Sequence, residues 1–159
     1  MDGVEIRVAT DKDTFALASL ISELGSPTSP EEMQRRVERV RGRSDVTAFV
    51  ALAEGSIVRL GLLERVAGLL LALGMAGLLV TPSFVRSTPD GQIIALVVAE
   101  THRGRGIGRE LMKRAEAWLA DKGVKRVSLT SGLHRASAHA FYRACSYEQT
   151  GLRFVHTIG

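Results

Sequence analysis

The stretch Glu100–Gly123, ETHRGRGIGRELMKRAEAWLADKG, sets three glycines among three arginines directly before a regular helical pattern. The residues concerned are Arg103, Gly104, Arg105, Gly106, Gly108 and Arg109. The first turn of a helix exposes backbone N–H groups and a partial positive charge, and glycine lets an anion approach that backbone closely. Guanidinium groups add charge-assisted hydrogen bonds to phosphate oxygens. The stretch therefore predicts a site for a phosphate or pyrophosphate.

Two common phosphate-binding loops fit this stretch poorly. A Walker P-loop needs a Lys-Ser/Thr pair after its last glycine, but Arg109 and Glu110 follow Gly108. The dinucleotide-binding turn of a Rossmann fold needs a third glycine where Arg109 stands, and it normally lies near the start of the fold. The sequence disfavours a nucleotide triphosphatase and gives little support to a dinucleotide-binding enzyme.

The surrounding pattern alternates strands with helices. An apolar run over 91–100 predicts a central strand before the glycine stretch, and Leu111, Ala115, Trp118 and Leu119 form one apolar face of the helix after it. Thr10 with Asp13, and Ser29 with Pro30 and Glu32, are capping patterns that predict two earlier helices. Further strands are predicted over 4–10, 46–56, 125–131 and 151–158, the third of them buried, and a last helix over 136–144.

The composition indicates one folded domain spanning residues 1–159. Hydrophobic residues make up 45% of the chain and charged residues 24%, values typical of globular proteins. The formal charge of +4 permits an anionic partner without requiring nucleic acid. The single cysteine, Cys145, excludes an internal disulfide and favours a reducing cytoplasm. The four histidines lack the spacing of a metal site, so no metal is expected.

Residues 66–85 carry no charge and approach the length of a membrane-spanning helix. Gly68, Gly74, Gly77 and Pro82 interrupt this run, which argues against membrane insertion. The wider segment 54–92 is long for a connection between strands. An extended hairpin, an extra strand and an oligomer contact all remain open for it.

The segment Arg103–Gly108 resembles the Arg/Gln-x-x-Gly-x-Gly/Ala signature of the GNAT superfamily of N-acetyltransferases. The strand before it, the helix after it and residues 126–154 are similar to the same family, and the N-terminal helices are so more loosely. In the frame of that family, residues 66–85 occupy strand 3. The resemblance implies an α/β (α+β) fold with a mixed, mostly antiparallel central sheet, splayed parallel strands 4 and 5, and flanking helices. It also implies acetyl-CoA as cosubstrate and a primary amine as acceptor.

The resemblance assigns roles to particular residues. The pantetheine of acetyl-CoA is expected on the backbone of Leu96, Val97 and Val98, and the pyrophosphate on the loop; the cofactor residues there are Arg103, Gly104, Arg105, Gly106, Ile107, Gly108 and Arg109. Tyr142 falls on the family's Phe-Tyr pair, where the tyrosine hydroxyl commonly faces the sulfur and acts as general acid. With a reference pKa of about 10, a tyrosine is protonated at neutral pH and can donate.

Three positions depart from the family pattern. Gln92 stands where many relatives carry a glutamate base, so Glu100, His102 or a water chain must serve, with Glu100 as the chosen candidate. Arg135 stands where relatives often have an asparagine that contacts CoA, and an arginine there can contact phosphate. Ser146 replaces a glycine and is expected to strain its turn.

Several alternatives stay open. The main prediction is a cytoplasmic N-acetyltransferase that uses direct attack by the amine of a small molecule or peptide, without a nucleophilic role for Cys145. The alternative is a degenerate, non-catalytic acyl-CoA-binding sensor, motivated by Gln92 and Ser146. A nucleic-acid-binding module is a third and weaker interpretation, since surface aromatics are sparse. The acceptor is unassigned, acidic residues at 23, 31 and 32 would favour polycations, and a homodimer is left open.

Overall fold

A five-stranded sheet with the strand order β1-β2-β3-β4-β5 forms the centre of the fold. The structure is a computed structural model that describes residues 3–55 and 69–159, without the side chains of residues 54, 55, 69 and 70. The strands are β1 Val4–Val8, β2 Val46–Gly55, β3 Leu69–Thr81, β4 Asp90–Val98 and β5 Arg126–Leu129. The helices are α1 Thr14–Glu23, α2 Pro30–Val40, α3 Ile107–Asp121 and α4 Ala136–Ala144, with 3₁₀ turns at Asp11–Asp13 and Glu100–His102.

The sheet is mixed and mostly antiparallel, which confirms the predicted fold class. β1 to β4 pair antiparallel in sequence order, and β5 is parallel to β4. Antiparallel neighbours can be joined by short connections, whereas the parallel step from β4 to β5 needs a crossover, which α3 supplies. The 3₁₀ turn and the glycine loop lie at the start of that crossover, directly after β4.

The uncharged segment 66–85 is a β-strand over most of its described length. β3 runs from Leu69 to Thr81 and pairs with β2 from Val46↔Leu79 to Gly55↔Leu69. Residues 56–68 lie outside the described part of the chain, so the choice among an extended hairpin, an extra strand and an oligomer contact is not decided there. Among the helices of the described ranges, none is long and apolar enough to cross a bilayer.

The predicted helix starts are observed, with one correction. Thr10 and Asp13 form the capping box, which begins with a 3₁₀ turn before α1. At α2, Ser29 Oγ accepts the Glu32 N–H at 3.2 Å, as predicted. The prediction that Glu32 completes a capping box is wrong, because its carboxylate binds the guanidinium groups of Arg35 and Arg36 instead.

Helices cover both faces of the sheet. A hydrophobic cluster joins Leu17 and Leu20 of α1 and Met33 of α2 to Met75 and Val97 of the sheet. On the opposite face α3 lies against β2, β3 and β4, with Leu111, Ala115 and Leu119 fully buried. Successive residues of a strand point to opposite faces, so Met75 faces α1 while its neighbour Gly74 faces Leu111.

The described chain divides into two compact units, one ending at Ser128 and the other spanning Leu129–Gly159. The second unit contains α4, which has the predicted bounds, and a left-handed Ser146 with φ of 65°. The predicted strand over 151–158 is wrong: no helix or strand is assigned to these described residues, and Leu152, Phe154 and Ile158 are exposed. A segment with strand propensity forms a strand only where it pairs with another strand, and the sequence alone does not reveal that partner. The predicted strand over 125–131 is observed as β5, but its expected burial is wrong, because β5 alternates between exposed and half-buried residues.

Candidate active site

The backbone expected to hold pantetheine lies at the end of β4. Leu96, Val97 and Val98 pair with Ala76, Met75 and Gly74 of β3, so one edge of β4 is occupied by the antiparallel ladder. The register between β3 and β4 shifts at Gly77/Leu78, which leaves Ile94 as the extra residue of a bulge. A bulge bends a strand and disrupts its ladder locally, and this one lies three residues before Val97.

β5 lies beside the beginning of β4 and ends before β4 does. Ser128 Oγ donates to the Gly91 carbonyl at 3.4 Å, and β5 ends one residue later. The two strands are parallel, so the last residues of β4 lie beyond the end of β5. Where β4 continues past the end of β5, its backbone N–H and C=O groups on that edge can pair with an extended ligand.

The glycine loop leaves β4 through a tight turn. Gly104 and Gly106 have φ of 76° and 82°, in the left-handed region that favours glycine. A Cβ built on Gly104 would meet nothing within 4 Å, so this side of the loop is open. The Arg103 Nε donates to the Val98 carbonyl at 3.1 Å, and Arg105 donates to the Thr101 carbonyl at 3.3 Å. These bonds hold two arginines of the loop close to the backbone they flank.

The start of α3 presents its first N–H groups beside this loop. Gly106 is the N-cap residue and its carbonyl accepts the N–H groups of Arg109 and Glu110. No side chain caps the helix at this residue, which leaves the first turn without the usual internal acceptor. Ile107 is buried and anchors the turn in the core. The chemistry of this end, N–H donors and guanidinium groups around a glycine backbone, fits a pyrophosphate.

An interaction across 77 residues of sequence fixes the start of the loop. Glu23, the last residue of α1, accepts the Glu100 N–H on its Oε2 at 3.0 Å. This bond places the end of α1 beside the end of β4. Sequence reasoning did not find it, because the separation leaves no local pattern that would pair the two residues. The connection between α1 and α2 begins one residue after this contact.

The candidate bases occupy different places near β4. The Glu100 side chain is exposed at the first position of the 3₁₀ turn. The His102 Nδ1 lies 2.9 Å from the Thr101 hydroxyl. Gln92 pairs with Leu79 near the beginning of β4 and is half-buried. Within the first unit, the structure therefore brings together Glu100, the loop and Leu96–Val98.

The acidic residues expected near the acceptor are mostly engaged. Glu32 forms ion pairs with Arg35 and Arg36 at 2.8 and 3.1 Å. A hydrogen bond from the Ser29 side chain lowers the pKa of Glu31. Glu23 holds the Glu100 backbone, as described above. Each of the three carboxylates thus has a partner within the chain.

Tyr142 and Arg135 lie together in the second unit. Tyr142 is 9% exposed, and its ring contacts the Phe141 ring edge-on at 5.5 Å and the Tyr147 ring at 6.4 Å. Burial raises the pKa of Tyr142, and the positive charge of Arg135 partly offsets that rise. Arg135 is the N-cap residue of α4 and is half-buried. The phenol is therefore protonated at neutral pH and available as a proton donor.

The departure at Ser146 has the expected backbone consequence. Among the described residues other than glycine, Ser146 is the one with positive φ. It follows the end of α4, and its N–H donates to the Arg143 carbonyl at 2.9 Å. The next residue, Tyr147, donates its N–H to the Tyr142 carbonyl at 2.9 Å. The strained turn thus directs the chain back toward the catalytic candidate.

Comparison with known proteins gives a consistent family. The model of the acetyltransferase (GNAT) family matches residues 16–147. Aminoglycoside N(6')-acetyltransferase type 1 of Stenotrophomonas maltophilia is 26% identical over 148 residues, which cover 91% of this chain and 86% of that protein. Aminoalkylphosphonate N-acetyltransferase of Salmonella typhimurium is 34% identical over 68 residues, covering 43% of this chain and 44% of that protein.

Solved structures share the fold. Aminoglycoside N-acetyltransferase AAC(6')-Iy, solved in complex with CoA, aligns with a TM-score of 0.80 at 16% identity and covers 98% of this chain and 94% of its own. A putative acetyltransferase from Agrobacterium tumefaciens aligns with a TM-score of 0.76 at 25% identity, covering 97% and 99%. The family resemblance seen in the glycine loop is thereby confirmed. The chain belongs to the GNAT family of acetyltransferases, enzymes whose cosubstrate is acetyl-CoA.

Proposed function

We propose that this protein transfers the acetyl group of acetyl-CoA to the primary amine of a small molecule or peptide. The observation that carries the proposal is the loop after β4, where left-handed Gly104 and Gly106 lead into the uncapped start of α3. The family match supports it, because residues 16–147 include both this loop and Tyr142. The chain is proposed to act as a single domain in the cytoplasm, the latter from its one cysteine.

The cosubstrate contacts follow from the chemistry of each group. The amides and carbonyls of Leu96, Val97 and Val98 are proposed to pair with pantetheine beyond the end of β5. The pyrophosphate is proposed to rest on the loop and the first turn of α3, with Arg135 as an additional cationic contact; the loop residues are Arg103, Gly104, Arg105, Gly106, Ile107, Gly108 and Arg109. Charge-assisted bonds of this kind are stronger than neutral ones.

Direct transfer needs one proton acceptor and one proton donor. The neutral amine attacks the thioester carbonyl, and the nitrogen then loses a proton. Glu100 is proposed as the acceptor of that proton, because its carboxylate is exposed at the end of β4 and its backbone is fixed by Glu23. Tyr142 is proposed to donate to the departing thiolate. Its raised pKa keeps the phenol protonated over the whole neutral range.

The acceptor is proposed to be a small-molecule amine. The support is the alignment over 91% of the chain with a relative named for acetylating aminoglycosides. The connection between α1 and α2, residues 24–29, is the proposed wall of the acceptor site, because Glu23 joins its start to the end of β4. Aminoglycosides and short alkyl amines are therefore the first acceptors to test.

A non-catalytic acyl-CoA sensor is the second candidate. Gln92 cannot accept a proton usefully, and Ser146 keeps a strained backbone where a glycine would relax it. A sensor would bind acetyl-CoA without releasing free thiol when amines are added.

Replacement of Tyr142 by Phe separates the two candidates. In an enzyme, Tyr142→Phe removes the proton donor, and we expect kcat for amine-dependent thiol release to fall about 100-fold. The Kd for acetyl-CoA, measured by calorimetry, should change little. Tyr147→Phe is the matched control, since it removes the chain's other tyrosine hydroxyl. Equal rates for wild type and Tyr142→Phe would remove Tyr142 from the mechanism, and no thiol release from wild type with any amine would favour the sensor.

A further inference from the structure

We propose that Arg135 is a positioning residue for the acid step, because it stabilises the phenolate that Tyr142 becomes when it protonates the departing thiolate. This inference rests on the proposed function. It gives the arginine that replaces the family's usual asparagine a role at the thiol end of acetyl-CoA in place of the pyrophosphate contact proposed above, because those two groups lie at opposite ends of the pantetheine arm.

The two side chains share one face of α4. The residues of this helix and its ends that are not exposed follow the spacing i, i+3, i+4, i+7 and i+10; they are Arg135, Ala138, His139, Tyr142 and Cys145, with Phe141 flanking them. The opposite face is solvent-exposed and includes Ser137, Ala140 and Arg143. Residues at i and i+7 of a helix lie one above the other. The cation and the phenol therefore belong to the same inward face, two turns apart.

The environment of Tyr142 otherwise opposes ionisation. The phenol is buried, and burial disfavours its charged form. Tyr142 also lies in the last turn of α4, where the helix dipole is negative. A positive charge on this face counters both effects, and its influence is larger in a dry environment than in water.

Two groups on this face act on the phenol in opposite directions. The Arg135 charge lowers the pKa of Tyr142, while the Cys145 group raises it. His139 lies between Arg135 and Tyr142 on the same face, but its Nε2 is bound to the Gly132 carbonyl at 3.0 Å. A carbonyl only accepts, so this nitrogen is the donor and His139 is turned toward its own loop. The Phe141 and Tyr147 rings also contact Tyr142.

The step balances without any further reactant. The amine nitrogen forms a bond to the acetyl carbon, the carbon–sulfur bond breaks, and the electron pair leaves with sulfur. The thiolate takes the phenolic proton of Tyr142, and the positive charge of Arg135 stabilises the phenolate that remains. The proton lost by the acylated nitrogen passes to base or water, and the phenolate regains a proton from solvent.

The chain offers a clean spectroscopic test, because it contains only two tyrosines, Tyr142 and Tyr147. In a Tyr147→Phe background, biosynthetic 3-fluorotyrosine labels position 142 alone. Fluorination makes the phenol more acidic, so its titration can be followed by fluorine NMR while circular dichroism confirms that the chain stays folded. The variants are Arg135→Gln and Arg135→Lys, and Arg143→Gln is the matched control on the exposed face of the same helix.

We expect Arg135→Gln to move the fluorophenol titration upward by about one pH unit, the size of effect expected for loss of a nearby opposite charge. Arg135→Lys keeps the charge and should stay close to the parent, as should Arg143→Gln. The alkaline limb of kcat should move with the titration in Arg135→Gln, and kcat at neutral pH should fall about tenfold.

An unchanged titration in Arg135→Gln would overturn the inference, as would an equal shift in Arg143→Gln or in Arg135→Lys. Should Arg135→Gln fail to fold, a titration of Arg135→Lys that matches the parent supports the role of the charge, and a shifted one overturns it. The titration requires no turnover, so failure of the proposed function, seen as no thiol release from the wild type with any amine, is distinguishable from failure of this coupling. Full activity in Tyr142→Phe would overturn the acid role of Tyr142 and this inference with it.

Discussion

At position 146 a serine occupies backbone that favours glycine, with φ of 65°. A left-handed backbone costs a residue with a side chain roughly 1–2 kcal/mol, and glycine avoids this cost. Glycine also loses more conformational entropy on folding, which offsets part of the gain. We therefore expect Ser146→Gly to raise the free energy of unfolding by about 0.5–1 kcal/mol. Urea unfolding measures this, with Ser137→Gly on the exposed face of α4 as a control that should lose stability. A Ser146→Gly protein no more stable than wild type would show that the turn is not strained.

Asp13 is the charged side chain most deeply buried in the described chain, at 7% exposed. Its carboxylate accepts two hydrogen bonds from Arg7, both at 2.8 Å, and others from the Thr10 N–H and hydroxyl at 2.7 and 3.0 Å. Burial raises the pKa of Asp13, but these bonds outweigh it and the net pKa lies below the reference value of 3.8. The charged form is therefore the one that stabilises the fold.

The sign of the pH dependence follows from that lowered pKa. The contribution of Asp13 is fully present above the unfolded value of 3.8 and is lost as pH falls through the folded-state pKa. We expect Asp13→Asn to cost about 2 kcal/mol at pH 7, because it leaves Arg7 without its partner. Urea unfolding of wild type and variant from pH 7 to pH 2 should show the difference narrowing below pH 4. A difference that is constant with pH would contradict this account.

Residue-level prediction from sequence succeeded where the interaction was local. The Thr10–Asp13 capping box was predictable because it spans three residues, whereas Arg7 reaches Asp13 from the neighbouring strand β1. For the same reason Glu23 could be named as acidic but not as the acceptor of the Glu100 N–H. Contacts set by the packing of separate elements have no signature in a short stretch of sequence.

At the scale of elements, the loop and the start of α3 are the part of the chain to which we assign cosubstrate binding. Gly106 has φ of 82°, and Gly123 at the other end of the same helix has φ of 77°. Alanine at either position incurs a left-handed penalty of about 1–2 kcal/mol. We expect both variants to lose similar stability, but only Gly106→Ala to raise KM for acetyl-CoA, by about tenfold, since its Cβ also obstructs the approach of an anion.

Steady-state kinetics and urea unfolding of Gly106→Ala and Gly123→Ala provide the comparison. A KM that rises equally in both variants would mean that loss of stability, not the loop, controls cosubstrate binding.

Secondary structure was predictable from sequence where caps and periodicity agreed. α4 has the predicted bounds, and Gly25 and Gly123 follow the ends of α1 and α3 as expected. The final strand was mispredicted, because the alternation of Leu152 and Phe154 signals strand propensity without revealing a partner. The apolar segment 66–85 was assigned to a strand from its place in the family resemblance, while its glycines and Pro82 argued against a membrane-spanning helix.

For the whole molecule, the fold class and the family followed from the glycine loop and its position between a strand and a helix. Roles within the site did not follow from sequence alone. The loop and β4 residues lie together in the first unit, and Arg135 lies with Tyr142 in the second, while the identity of the base remains a proposal. Acceptor identity depends on the shape formed by segments far apart in sequence, which residue patterns do not encode.

The central claim is that the chain binds acetyl-CoA and passes its acetyl group to a primary amine. The most direct measurement is a calorimetric titration with acetyl-CoA, followed in the same sample by a panel of aminoglycosides and alkyl amines with continuous detection of free thiol. The account predicts saturable binding and thiol release that depends on one class of amine. Absence of acetyl-CoA binding by the folded chain would contradict it.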